Sequence, residues 1–165
     1  MARFADLSIA VLLGGLGTSG DFPARGGPVE RLSSMAETNT IKTVLVVDDS
    51  LLMRRMISEI VTSCGWKVVG EAANGQEAVD AYFRLRPAVV TLDIVMPGMD
   101  GLNALQQIVS RDPKARVIVV SALSQTKLIS EAIRKGAYDF VAKPFLPEQL
   151  RETVERCYEG SLSSC

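Results

Sequence analysis

Histidine is absent from this chain of 165 residues. That absence removes a Ser-His-Asp or Cys-His nucleophile system, a Cys/His zinc site and self-phosphorylation on histidine. Any phosphoryl group must come from another molecule. Cysteine is sparse and odd in number: Cys64, Cys157 and Cys165 form no C-x-x-C pair, which fits a reducing cytoplasm. Neither sign of charge is in excess. With 18 basic and 19 acidic residues and a net charge of -1, the chain carries no electrostatic footprint for nucleic acid or an anionic membrane. A P-loop of the form G-x-x-x-x-G-K-[ST] is also missing, which excludes that class of nucleotide hydrolase. What remains is globular composition, 47% hydrophobic and 22% charged, at a length that supports one domain with its own core.

Residues 1–42 read as a flexible N-terminal extension. Their apolar run, Leu7 to Leu13, is far shorter than the roughly 20 residues of a membrane span. Arg3 precedes it, yet no A-x-A cleavage site follows, so secretion is not expected. Gly15-Leu16-Gly17-Thr18-Ser19-Gly20 matches the dinucleotide pattern G-x-G-x-x-G. That pattern works only where a helix starts, with its amides facing a pyrophosphate. Pro23, Gly26, Gly27 and Pro28 would stop such a helix, and the nucleotide reading is rejected. Met35 is an alternative start residue, so the extension is read as the product of an upstream start.

From residue 43 the pattern changes. Five β-rich runs (Val44–Val47, Trp66–Glu71, Ala88–Leu92, Arg116–Val120 and Tyr138–Ala142) alternate with segments of helical spacing. Met53, Met56, Ile57, Ile60, Val61 and Cys64 form one such apolar stripe, ended by Gly65. Further helices are marked by Ala78, Tyr82 and Leu85; by Leu102, Leu105 and Ile108; by Ile129, Ala132 and Ile133; and by Leu150, Val154 and Cys157. Nearly unbroken apolar strands are those covered by helices on both faces. The alternation predicts an α/β fold with a five-stranded parallel sheet and right-handed crossovers.

In open sheets of this kind, functional residues gather beyond the carboxyl ends of the strands. Asp48 and Asp49 follow the first strand, Asp93 the third, Ser121 the fourth, and Lys143-Pro144 the fifth. With strand order 2-1-3-4-5 they converge on one rim. Taken singly, each has a plain structural use. Asp48-Asp49-Ser50 suits a helix N-cap, Asp93 could cap its loop, Lys143 could be solvated, and Ser121 could be a polar strand end. Taken together they describe a site. Two carboxylates about 4 Å apart repel by roughly 4 kcal/mol at an effective dielectric near 20, and a hard dication removes the conflict. Mg2+ takes oxygen ligands and keeps waters that phosphoryl oxygens can replace.

The segments VLVVDDS, LDIVMPGMDG, VIVVSAL and GAYDFVAKPF resemble the receiver domains of two-component response regulators, in particular single-domain CheY-like proteins. The resemblance covers residues 43–160 and implies the flavodoxin-like order 2-1-3-4-5, the arrangement for which CheY serves as a reference example. It implies Asp93 as phosphoacceptor, and Asp48, Asp49, Asp93 and the Val95 carbonyl as Mg2+ ligands. Ser121 and Lys143 would bind the phosphoryl group, Phe140 would be the aromatic switch residue, and Lys143-Pro144 would be a cis peptide. Apolar Val95 and Leu123 beside the site cannot orient an attacking water, so slow self-hydrolysis is expected.

The resemblance implies a monomeric cytoplasmic switch that is not an enzyme in the usual sense, since it acts only on its own aspartate. A sensor histidine kinase would be the donor. The downstream protein target would meet the face of helix 4, strand 5 and helix 5, where Lys127, Arg134, Lys135 and Glu148 are candidate contacts. Too few residues follow Tyr158 for an output domain, and no nucleic-acid or membrane partner is expected. Chemotaxis or motility signalling is the favoured setting, with a phosphorelay shuttle or another partner-binding regulator as the alternative. A phosphohydrolase with an Asp nucleophile is the competitor from another class. It usually carries D-x-D after its first strand, where this chain has Asp48-Asp49-Ser50.

Overall fold

The computed structural model describes residues 41–122 and 126–160. Residues 1–40, with the glycine motif and Met35, and Leu123 lie outside the described residues. Five strands alternate with five helices among the described residues: β1 (Thr43–Val47), α1 (Leu51–Thr62), β2 (Lys67–Ala72), α2 (Gly75–Leu85), β3 (Val89–Leu92), α3 (Gly101–Arg111), β4 (Val117–Ser121), α4 (Thr126–Arg134), β5 (Asp139–Ala142) and α5 (Pro147–Glu159). All strand pairs are parallel and the order is β2-β1-β3-β4-β5. Lys42 already belongs to the folded body, since its carbonyl accepts from the Lys67 amide at 2.8 Å.

Alternation along each strand divides the core into two layers. Leu45, Val47, Val90, Leu92, Val117 and Val119 pack against α2, α3 and Ala132 of α4. Val44, Val46, Val89, Ile118, Val120 and Val141 pack against α1 and α5. Burial on both faces explains why β1 and β3 contain almost no polar residue.

The helices start where the sequence supplies caps. Ser50 Oγ accepts from the Met53 amide, Asn74 Oδ1 from Glu77 and Asp100 Oδ1 from Asn103. Pro147 occupies the first turn of α5. Gly65, at φ +84°, turns the chain out of α1 in a conformation that favours glycine. The stripe expected on α1 is rotated in the structure. Ile57 and Val61 are buried, with Ile60 and Cys64 packed beside them, but Met56 is 42% exposed. On α4, Ala132 is buried while Ile133 faces outward. An apolar spacing permits more than one face, and the sheet selects one.

Candidate functional site

Strands β1, β3, β4 and β5 deliver their last residues to one edge. Asp48 and Asp49 follow β1, Asp93 follows β3, Ser121 ends β4, and Lys143 follows β5. Backbone bonds fix these exits. The Asp93 amide donates to Val47 O at 3.0 Å, Asp48 to Ala72 O at 3.1 Å, and Lys143 to Ser121 O at 2.8 Å. Carboxylate oxygens of Asp48, Asp49 and Asp93 lie within 4.8 Å of one another. Asp48 and Asp93 are 1% and 5% exposed, whereas Asp49 is open to solvent.

Lys143 reaches into this cluster. Its ammonium donates to Asp48 Oδ2 at 2.5 Å and to Asp93 Oδ2 at 2.6 Å. Burial pulls the Lys143 pKa down, but hydrogen bonds and charge from Asp48 and Asp93 together outweigh it and hold it above the ordinary lysine value. The Lys143-Pro144 peptide is cis. One ammonium on two of three clustered carboxylates leaves the cluster formally negative.

The remaining carboxylate oxygens are held by amides. Asp48 Oδ1 accepts from Ser50 N and Asp93 Oδ1 from Val95 N, both at 3.0 Å. Val95 turns its side chain outward, 52% exposed. Gly101, at the start of α3, packs directly on this loop. Its amide donates to Ile94 O, and a Cβ there would lie 2.0 Å from Asp93 O, so no other residue fits without moving the acidic loop.

Two further residues come from β4 and β5. Ser121 is fully buried at the end of β4, and its hydroxyl has no partner among the described residues. Such a group has a free donor for an incoming oxygen. Phe140 stands further back along β5, in register with Val119, half-buried against the layer formed by α2, α3 and α4. The donors at the rim are all oxygen, closely spaced and negative in sum, and they fit a hard divalent cation such as Mg2+.

Residues 44–155 match the model of the response regulator receiver domain. The chain belongs to the response regulator receiver family. This receiver domain is 47% identical over 115 residues to the chemotaxis protein CheY of Thermotoga maritima, covering 70% of the chain and 96% of that protein. It is 50% identical over 113 residues to CheY of Listeria monocytogenes, covering 68% and 95% respectively. Among solved structures, it resembles the CheX–CheY–BeF3–Mg2+ complex from Borrelia burgdorferi. There the TM-score is 0.69 and the identity 38%, over 70% of this chain and 88% of that one. The fold and the acidic cluster thus belong to a signalling regulator family, and the similar solved complex from Borrelia burgdorferi contains Mg2+. Among the described residues, no helix is long and apolar enough to cross a membrane.

Arg54 was not singled out from the sequence. Its guanidinium folds back over the first turn of α1 to donate to the carbonyls of Asp48 and Asp49. A basic residue on an exposed-looking helix position carries no local signal of such a contact.

Proposed function

We propose that this chain is a phosphorylation-controlled switch in which Asp93 accepts a phosphoryl group from a histidine kinase in chemotaxis or motility signalling. The observation that carries the reading is the meeting of Asp48, Asp49 and Asp93 at the carboxyl edge, with the Lys143 ammonium on Asp48 and Asp93. In the reaction, an oxygen of Asp93 forms a bond to phosphorus. The phosphorus–nitrogen bond of the donor phosphohistidine breaks, and the leaving imidazole takes up a proton. Asp48, Asp49, Asp93 and the Val95 carbonyl would hold Mg2+, which supplies charge neutralisation for the transferring group.

Lys143 is placed to move from the bare carboxylates to a phosphoryl oxygen, and the unpartnered Ser121 hydroxyl to donate to another. Movement of Ser121 toward the phosphoryl group would open room for Phe140 in the same layer, altering the face of α4, β5 and α5 that meets the downstream protein. Ile133 and Tyr138, 45% and 43% exposed, give that face an apolar contact. The kinase must reach Asp93, and exposed Leu51 and Leu52 at the start of α1, Val95 after β3 and Leu146 after β5 stand at that edge.

The reading is tested with acetyl phosphate and Mg2+, followed by intact mass. The chain is expected to gain one phosphoryl group and Asp93→Asn none. Uptake by the Asn variant, or steady turnover of many phosphoesters, would overturn it.

A further inference from the structure

We propose that Arg54 is a positioning residue for the divalent-cation site: its guanidinium fixes the backbone of the Asp48-Asp49 pair, and Glu71 fixes the guanidinium. The inference rests on the reading of the acidic cluster given above.

Carbonyls 48 and 49 precede α1, which begins at Leu51, and so have no helical amide to accept from. Arg54 Nη1 supplies the donor, at 2.7 Å from Asp48 O and 3.3 Å from Asp49 O. Its Nε donates to Glu71 Oε2 at 3.0 Å, from β2, the strand paired with β1. The Arg54 side chain is only 14% exposed, so this fork is held rather than free in solvent. Asp48 is then fixed at four points: its amide by Ala72 O, its carbonyl by Arg54, and its carboxylate by Ser50 N and Lys143 Nζ. The planar fork can serve a carbonyl and a carboxylate at once, which an ammonium on a flexible stem cannot do with fixed geometry.

Charge and geometry predict opposite outcomes here. A cation beside a dication site repels the incoming ion, so by charge alone removing Arg54 would tighten Mg2+ binding. If Arg54 acts by holding the two aspartates in place, its removal weakens binding despite the lost repulsion. Outer-shell partners that orient ligands typically change metal affinity by about tenfold or more.

The test is calorimetric titration of Mg2+ into the full chain, without any phosphodonor, at fixed ionic strength and with thermal melting recorded alongside. Arg54→Gln is expected to weaken Mg2+ binding about tenfold, and Glu71→Gln by a smaller factor of about three, at temperatures where both remain folded. Arg54→Lys, which keeps the charge and loses the fork, is expected to bind more weakly than the parent chain. A folded Arg54→Gln protein that binds Mg2+ as tightly as the parent, or more tightly, overturns the proposal. Should that variant fail to fold, unchanged affinity in Glu71→Gln overturns it equally. A parent chain without saturable Mg2+ binding would sink the underlying reading of the cluster. Parent binding that Asp48→Asn abolishes and Arg54→Gln leaves intact would sink this inference alone.

Discussion

The two edges of the sheet handle charge in opposite ways. At the amino edge, charges are matched and tied to aromatic rings. Lys42 pairs with Glu155 at 2.6 Å, and the other oxygen of Glu155 accepts from Trp66 Nε1 at 2.7 Å. Trp66 meets Tyr158 edge-on, and Lys42 and Arg116 approach the Tyr158 ring. Asp112 likewise accepts from both Tyr82 and Arg86. At the carboxyl edge, two buried carboxylates share one ammonium, a third adds to the repulsion, and a buried hydroxyl has no partner among the described residues. Among the described residues, the first end pairs the charges of Lys42, Glu155, Arg86 and Asp112 within the chain. The other keeps an excess of carboxylate over the single ammonium that reaches it.

The largest break in that contrast should come from Lys143→Met. It strands Asp48 and Asp93 in the interior without a cation, and removing one member of a buried pair costs about 3 kcal/mol or more. Denaturant unfolding without Mg2+ should register that loss. Saturating Mg2+ should raise the melting temperature of the variant more than that of the parent, because no ammonium then competes for the carboxylates. Equal shifts in the two proteins would count against the shared-site account.

A second expectation concerns alkaline pH. Burial pushes the Cys157 thiol from its ordinary 9.0 up to about 12, and burial with the bond to Asp112 pushes the Tyr82 phenol up as well. The unfolded chain therefore releases these protons first. Stability should fall as pH rises from 9.0 toward about 12, at about 1.4 kcal/mol per pH unit for the thiol. Cys157→Ala should flatten this limb, and an unaltered slope in urea titrations would refute the assignment. The smallest effect belongs to Glu155→Gln. It loses the Lys42 ion pair near the surface but keeps an acceptor for Trp66, so the change should stay below about 1 kcal/mol. Phosphoryl uptake should not change, since the substitution is at the far edge.

The same contrast explains what could be read from the residues alone. Strands β1, β3 and β4 were legible because an apolar run flanked by helical spacing has few other uses, whereas the strand order came from the resemblance to receiver domains and not from the connections. The acidic residues were legible because they stand immediately after strands. The α1 stripe was only half legible: which of Met56 and Val61 faces inward depends on the sheet beneath, not on spacing. Arg54 and the Lys42–Glu155–Trp66 group were not legible. Their partners come from 17 to 113 residues away or depend on a side chain folding back over its own helix.

Trp66 is the chain's single tryptophan, and it stands just before β2, whereas Asp93 stands just after β3. A strand of this length separates them by about 15–20 Å. Intrinsic fluorescence in this protein is therefore a gauge of whether the molecule is folded, and an optical probe of occupancy at the acidic rim would require a second indole introduced there.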